Sequence, residues 1–80
     1  MSQKTFRLPD LGEGLTESEI VTWRVAEGDA VSVNQVLADV ETAKAVVEVS
    51  SPFAGVVAAL HGAEGETLEV GAPLVTFTLE

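Results

Sequence analysis

The sequence contains no cysteine, a single histidine and only four basic residues in 80 positions. Without cysteine there can be no disulfide and no thiolate metal ligand, and one histidine excludes a multi-histidine zinc site. Four Lys and Arg stand against 13 Asp and Glu, which gives a formal net charge of -9. This charge argues against nucleic-acid binding, which requires clustered Lys and Arg, and against binding to anionic membranes.

Long apolar segments are also missing. No run approaches the roughly 20 apolar residues of a membrane span. The opening residues, MSQKTFRLPD, form neither the apolar region of a signal peptide nor a basic transit peptide. We therefore expect a soluble domain of the bacterial cytoplasm, with the mitochondrial matrix as the less favoured location. Eighty residues make one domain, and 46% hydrophobic residues suffice for a small core.

Short runs of Val, Ile, Thr and Phe are separated by Gly, Pro, Asp and Asn, a composition that indicates strands and turns. No segment of a dozen residues has a helical period. We predict an all-β fold, a sandwich or flattened barrel. Its expected strands are Thr5–Leu8, Glu19–Val25, Ala30–Val31, Val36–Glu41, Ala45–Val49, Gly55–His61, Thr67–Leu68 and Leu74–Leu79.

An internal repeat relates residues 26–41 to residues 63–78 at an offset of 37. A unit used twice predicts two half-barrels related by a pseudo-twofold axis. In the first strand, Phe6–Leu8 resembles Val47–Val49 at an offset of 41 instead of 37. The loop Pro9–Leu15 is therefore expected to hold about four extra residues. The matched pairs are Ala26/Ala63, Glu27/Glu64, Gly28/Gly65, Asp29/Glu66, Val33/Val70 and Leu37/Leu74.

The stretch DVETAKAVVEV places one lysine, Lys44, between two alternating apolar segments. Its neighbours Thr42, Ala43 and Ala45 predict a short hairpin with a type I turn, since there is no Asn-Gly pair. Nothing nearby would desolvate the lysine, so it suits modification by another enzyme better than catalysis. The alternative is a solvated charge that protects a strand edge from aggregation. Under the repeat, this turn and the chain termini should lie at opposite ends of the domain.

Three stretches resemble one protein family. ETAKA resembles the lipoyl-attachment motif, E-[ST]-[DN]-K-A, of the E2 acyltransferase component of 2-oxo acid dehydrogenase complexes. FRLPDLGEGLTESEIVTWRVAEGDAV is similar to the opening of E2 lipoyl domains, and SPFAGVV to their S-P-x-x-G stretch. The resemblance covers essentially the whole chain. It implies a flattened barrel of two four-stranded antiparallel sheets, and a single lipoyl domain, residues 1–80, in the N-terminal part of a longer E2 chain.

The resemblance further implies lipoic acid in amide linkage to Lys44, attached by a lipoate ligase or lipoyl transferase. The arm would receive an acyl group from the thiamine diphosphate-dependent E1, deliver it to coenzyme A at the E2 catalytic core, and be reoxidised by the dihydrolipoamide dehydrogenase E3. The domain alone would be a monomeric carrier without catalytic residues, in an acyltransferase of the branched-chain 2-oxo acid or pyruvate type.

The resemblance also implies that the ligase or E1 recognises residues beside the lysine and in the loop between the first two strands, which should lie near it. Ala43 departs from the family pattern, which commonly has Asp or Asn there. Glu41, Lys44 and Ala45 fit the pattern, so lipoylation is expected to survive, with recognition by E1 or the ligase tuned differently. The expected recognition residues are Glu41, Thr42, Ala43, Ala45, Leu11, Gly12, Glu13 and Gly14.

The remaining polar and aromatic residues have structural interpretations. Asp39, Glu41 and Glu48 surround the hairpin and are expected to be solvated, because a catalytic carboxylate pair needs a cleft. His61 is expected at the surface. Gly28 and Gly65 are expected to adopt a positive φ in equivalent turns. The aromatic side chains expected to pack in or against the core are Phe6, Trp23, Phe53 and Phe77.

Three other functions compete with a lipoyl domain. A biotin carboxyl carrier domain usually has its lysine between two methionines, and the only methionine here is Met1. A glycine-cleavage H protein is longer and lacks the L-G-E-G opening. An unmodified interaction domain follows if Ala43 prevents modification.

Overall fold

A computed structural model describes residues 2–10 and 16–79, which form two four-stranded antiparallel sheets. The strands are β1 Ser2–Arg7, β2 Glu17–Trp23, β3 Ala30–Val31, β4 Val36–Glu41, β5 Val46–Ser50, β6 Gly55–Leu60, β7 Thr67–Glu69 and β8 Pro73–Leu79. One sheet has the strand order β1-β8-β6-β3 and the other has β5-β4-β2-β7. Across the described residues no helix is long and apolar enough to cross a membrane.

The predicted all-β fold is confirmed, and the main differences lie at the bounds of β1 and β2. β1 begins at Ser2, three residues earlier than predicted, because it is held by antiparallel pairing with β8 rather than by an apolar pattern. Leu8, predicted inside β1, follows it and is buried, and its N–H donates to the Ala72 carbonyl at 2.9 Å. β2 ends at Trp23 instead of Val25.

The pseudo-twofold is visible in the strand order. Shifting β2, β3 and β4 by 37 residues gives β6, β7 and β8, and each strand takes the place in one sheet that its copy takes in the other. β5 and β1 complete the two sheets as equivalent edge strands. Backbone irregularities obey the same relation, since the register shift after Ile20 in β2 recurs after Val57 in β6.

The repeated acidic turns are built alike in both halves. Gly28 and Gly65 have φ values of 94° and 90°, as predicted, which a residue with a Cβ adopts only with strain. Asn34 and Gly71 are also 37 residues apart and have φ values of 72° and 91°. The carboxylate after each turn glycine accepts a hydrogen bond from an amide three residues earlier: Ala26 N to Asp29 Oδ2 at 2.9 Å, and Ala63 N to Glu66 Oε1 at 3.0 Å.

The predicted offset between the first strand and its copy is wrong. Phe6 pairs with Val75, and Val49 pairs with Ala38. Val75 and Ala38 are 37 residues apart, so Phe6 is equivalent to Val49 at an offset of 43, not 41. The connection from β1 to β2 therefore contains six extra residues rather than four. A shift of two residues preserves the alternation of faces, so the apolar pattern could not separate these registers.

The core lies between the sheets and contains the predicted aromatic side chains. Phe77 is fully buried and meets the half-buried Phe53 edge to face, with ring centroids 5.7 Å apart. Phe6 and Trp23 are also half-buried against this core. The buried hydrophobic residues are Leu8, Ile20, Val25, Val31, Leu37, Ala38, Val40, Val49, Val57, Leu74, Val75 and Phe77.

The termini pair near the end of the sandwich remote from the β4–β5 turn. Ser2 pairs with Leu79, and the Lys4 ammonium lies 5.4 Å from the centroid of the Phe53 ring. Phe53 follows the end of β5 that is distant from Lys44. These contacts agree with the expected placement of the lysine turn and the termini at opposite ends.

Candidate functional site

Lys44 lies at the exposed tip of the hairpin formed by β4 and β5. The two strands pair from Val36↔Ser50 to Glu41↔Val46, and residues 42–45 make the turn. Lys44 and both neighbouring alanines are exposed. Within residues 2–10 and 16–79, no carboxylate forms an ion pair with the Lys44 amine. The Lys44 side chain is therefore exposed at the hairpin tip, as the sequence predicted.

The hydroxyl of Thr42 organises this turn. It accepts hydrogen bonds from the amides of Lys44 and Ala45, both at 3.1 Å, and donates to the Ala45 carbonyl at 3.0 Å. The Thr42 amide donates to the same carbonyl at 2.9 Å. A type I turn, as predicted, would be closed by a bond from the Ala45 amide to the Thr42 carbonyl. Here the side-chain oxygen takes the place of that carbonyl, a known ability of Ser and Thr in turns.

The turn has no residue with a positive φ. This agrees with the sequence, which lacks the Asn-Gly or Gly pairs of the primed hairpin turns. No position in the turn therefore requires glycine, and alanine is accommodated on both sides of Lys44. The turn is held by one side chain of its own rather than by an unusual backbone.

A groove of about 320 Å³ opens beside the lysine turn, where the turn meets the beginning of β2. Glu41 pairs with Glu19 across the sheet, so two carboxylates of like charge stand opposite each other. A partner that approaches Lys44 from this side meets negative charge and hydroxyl groups. The lining residues are Thr16, Glu17, Ser18, Glu19, Glu41, Thr42, Ala43 and Thr67.

The structure brings together part of the predicted recognition set. Glu41, Thr42 and Ala43 line the groove, and Ala45 lies at the tip. The predicted residues Leu11, Gly12, Glu13 and Gly14 lie outside the described residues. Thr16, which follows them closely in sequence, lines the same groove as Thr42. The chain that leaves the predicted recognition loop thus comes directly to the lysine turn.

Asp39 is not the solvated residue that the sequence suggested. Its Oδ2 accepts hydrogen bonds from Nε and Nη2 of Arg24 at 2.9 and 2.7 Å, and its side chain is only 13% exposed. The hydrogen bond and the negative charge of Asp39 raise the pKa of Arg24, with a smaller contribution from the charge of Glu48. Glu41 and Glu48 are exposed, as predicted.

The equivalent place in the other half holds a hydrogen bond instead of an ion pair. His61 and Thr76 stand 37 residues after Arg24 and Asp39, and His61 Nε2 lies 2.8 Å from Thr76 Oγ1. His61 is therefore half-buried and bonded, which corrects the expectation of a plain surface residue. Its contact was not predictable from the sequence because the repeat aligns His61 with a residue of different chemistry.

The site suits the covalent attachment of a carboxylic acid. The exposed Lys44 lies in the turn of a paired hairpin, between two alanines that leave space around it. The part of the chain that the structure describes holds no group of His, Cys, Asp and Glu residues that could bind a metal ion. A pseudo-twofold β-sandwich with an exposed lysine at a hairpin tip is the arrangement expected of a carrier of a covalently bound group.

Comparison with known families agrees with this class. The family model Biotin_lipoyl, described as "Biotin-requiring enzyme", matches residues 4–77. The solved lipoyl domain of the 2-oxoglutarate dehydrogenase complex from Azotobacter vinelandii is 31% identical with a TM-score of 0.75, and the match covers 94% of this chain and 95% of that one. The chain therefore belongs to the Biotin_lipoyl family and, within it, to the lipoyl domains, whose members carry lipoic acid covalently on a lysine.

The curated relatives are longer proteins. The lipoamide acyltransferase component of the branched-chain alpha-keto acid dehydrogenase complex of Pseudomonas aeruginosa is 45% identical over 80 residues, which are 100% of this chain and 19% of that protein. The dihydrolipoyllysine-residue acetyltransferase component of the pyruvate dehydrogenase complex of Bacillus subtilis is 49% identical over 72 residues, 90% of this chain and 16% of that one. The chain thus spans about a fifth of the length of these relatives.

A more distant solved structure shares the fold alone. A single-chain, multi-domain long-chain acyl-CoA carboxylase contains a region with a TM-score of 0.80 and 20% identity, which covers 95% of this chain and 7% of that one. The lipoyl domain is a carrier module within E2 acyltransferase chains, and the homologues contain it as one part.

Proposed function

We propose that Lys44 is the residue that carries the lipoyl group, in amide linkage. The observation that supports this most directly is the position of Lys44 at the tip of the β4–β5 hairpin, exposed and without an ion-pair partner among the described residues. The only other lysine, Lys4, lies within β1 with its ammonium over the Phe53 ring. The lipoyl group, once attached, supplies a disulfide that can carry an acyl group and two electrons between enzymes.

Attachment requires an activated form of lipoic acid. A ligase would join the lipoate carboxylate to ATP as an acyl adenylate with loss of pyrophosphate. The Lys44 Nζ would then attack the carboxyl carbon, forming the C–N bond as the C–O bond to AMP breaks and one proton passes to solvent. The domain's own contribution is to hold the amine in a fixed place. Small flanking residues, Ala43 and Ala45, leave room for the active site of the ligase.

The proposed recognition surface is the groove side of the turn. Glu41, Thr42, Ala43 and Ala45 are its described members, and the proposal extends to Leu11, Gly12, Glu13 and Gly14 in the loop between β1 and β2. Two observations support the loop: it contains the six extra residues, and Thr16, close after it, lines the groove. Ala43 adds no polar group, so discrimination by E1 must depend on its neighbours.

The parent protein is proposed to be an E2 acyltransferase of the branched-chain 2-oxo acid or pyruvate type, with this domain in its N-terminal part. Its partners would be E1, the E2 catalytic core, E3 and a lipoate ligase or lipoyl transferase, and the isolated domain would be a monomer. Support comes from the curated relatives in Pseudomonas aeruginosa and Bacillus subtilis. Because these relatives are bacterial, the proposed location is the bacterial cytoplasm. Tethering the arm to its complex would raise its effective concentration at each active site.

The test is the intact mass of the domain expressed with lipoate and a lipoate ligase, followed by peptide mapping across residues 38–49. We expect a gain of one lipoyl group, located on Lys44 and absent from Lys44→Gln. Lys4→Gln serves as the matched control, because it removes the other lysine and should leave the mass gain intact. A biotin adduct would assign the chain to a carboxylase, and a folded but unmodified sample would leave an interaction domain.

The same lipoylated sample tests the partner. Incubation with E1 of the branched-chain type or of the pyruvate type, each with its own 2-oxo acid, should add the mass of an acyl group with only one of them at a high rate. Equal and negligible rates with both enzymes would contradict the assignment to these two complexes.

A further inference from the structure

The hydrogen bonds of the lysine turn converge on one side-chain atom. Three of the four bonds described within residues 42–45 involve Thr42 Oγ1, and the fourth joins the Thr42 amide to the Ala45 carbonyl. Ala43 has no polar side chain to contribute. Thr42 is half-buried, whereas the other three residues of the turn are exposed. The conformation of the exposed lysine backbone thus depends on one anchored neighbour.

We propose that Thr42 is a positioning residue, which holds the Lys44 backbone in the shape that the modifying enzyme binds, and does not contact that enzyme through its hydroxyl. This inference rests on the proposed function, since it takes Lys44 to be the residue modified. It makes that proposal more specific, because it gives Thr42 a role within the turn and leaves direct contact with the enzyme to the other recognition residues.

The hydroxyl has no hydrogen-bonding capacity left for a partner. A threonine hydroxyl offers one donor hydrogen and two acceptor lone pairs. Its hydrogen is donated to the Ala45 carbonyl, and its lone pairs receive the amides of Lys44 and Ala45. A partner could bond to this oxygen only by displacing one of these contacts. The hydroxyl therefore acts through the backbone of the turn.

The β-branch of threonine contributes to the same effect. Two heavy atoms on Cβ restrict χ1, so Thr42 reaches the turn amides with less loss of rotamer freedom than serine would. Serine preserves the hydroxyl and should support the turn less firmly. Valine preserves the branch and the shape but removes every bond to Oγ1, so it is the decisive substitution.

The experiment compares wild type, Thr42→Ser and Thr42→Val as substrates of a lipoate–protein ligase, at saturating lipoate and ATP. Loss of the hydroxyl should leave the turn in its competent shape for a smaller fraction of the time, which weakens binding without altering the chemistry of the bound lysine. We expect KM to rise on the order of tenfold in Thr42→Val with kcat nearly unchanged. The KM and kcat of Thr42→Ser should lie close to those of wild type.

A second readout does not depend on the ligase. Amide hydrogen exchange at Lys44 and Ala45 should become faster in Thr42→Val by a similar factor, while the amides of the β4–β5 pairs keep their protection. A partial rescue is expected from adding Ala43→Asn, because an asparagine side chain can accept the amide two residues later, here that of Ala45.

The outcomes distinguish this inference from the proposed function. If wild type gains no lipoyl group, the proposed function fails, and the positioning role fails with it. If wild type is lipoylated but Thr42→Val has the same KM, only the positioning role is overturned. A folded Thr42→Val with a normal KM but a reduced kcat, or one with unchanged amide exchange, would also overturn it.

Discussion

At the scale of single residues, two equivalent pairs of positions in the two halves of the molecule are joined by different kinds of contact. Arg24 and Asp39 make an ion pair where His61 and Thr76 make a hydrogen bond. The ion pair stands in the half that bears the lysine turn. Asp39 is largely buried, and its Oδ1 has no hydrogen-bond partner among the described residues, so the contact of Oδ2 with Arg24 is what compensates for the burial of this carboxylate.

This asymmetry predicts an unequal response to substitution. Arg24→Gln leaves a mostly buried carboxylate without its cation, so it should lower Tm by several degrees. Asp39→Thr, which installs the residue of the equivalent position, should lower Tm less. The double variant should be more stable than Arg24→Gln alone, because the unpaired charge is gone. Thermal unfolding of the four proteins measures this, and strictly additive shifts would contradict it.

At the scale of elements, the β4–β5 hairpin positions the lysine turn. β4 has its predicted bounds, Val36–Glu41, because its side chains alternate and turn residues follow it, whereas β5 begins and ends one residue later than predicted. β4 is anchored by side chains on the core side, whereas β5 is an edge strand whose first residue, Val46, is exposed. The rigidity of the lysine turn should therefore come from β4.

Two valines of the hairpin test this difference. Val40 is fully buried in β4, and Val40→Ala should lower the free energy of unfolding by about 2 kcal/mol. Val46, on β5 beside the turn, is 56% exposed, and Val46→Ala should change it by less than about 0.5 kcal/mol. Urea denaturation gives both values. Similar losses in the two variants would show that β5 contributes as much to the anchoring as β4.

At the scale of the whole molecule, a net charge of -9 on 80 residues surrounds a small pseudo-twofold sandwich. We expect this charge to keep copies of the domain from adhering to one another, because like charges repel. The repulsion between exposed groups is screened by salt over roughly 10 Å at 0.1 M. Self-repulsion should therefore be strong at low salt and weak at high salt.

Light scattering at two salt concentrations tests the role of the charge. Replacing the exposed Glu17, Glu19, Glu41 and Glu69 by Gln changes the formal charge from -9 to -5. Because repulsion scales with the square of the charge, the electrostatic part of the second virial coefficient at low salt should fall to about a third. If the variant has the same second virial coefficient as wild type, or if the coefficient of wild type does not change with salt concentration, charge does not keep the domains apart.

The sequence alone determined the elements and the place of Lys44 at the tip of a hairpin. Alternation of apolar residues defined β4, glycines marked the turns with positive φ, and the repeat at 37 residues gave the pseudo-twofold. Alternation and turn glycines are properties of short segments, and the repeat is one such pattern found twice in the chain. The exposure of Lys44 followed from the same reasoning, since a short polar turn between two strands must lie at the surface.

Only the tertiary structure decided which residues meet across the sheets. The offset of 43 between Phe6 and Val49 depends on strand register, which a shift of two residues leaves invisible in the apolar pattern. The pairing of Arg24 with Asp39, and the groove that joins Thr16 to Thr42, bring together side chains far apart in sequence. Even the hydrogen bonds of Thr42 within its own turn could be assigned only from atomic positions, because the same four residues could have closed the turn through a backbone hydrogen bond. Register and side-chain geometry arise from packing, so composition and spacing could not predict them.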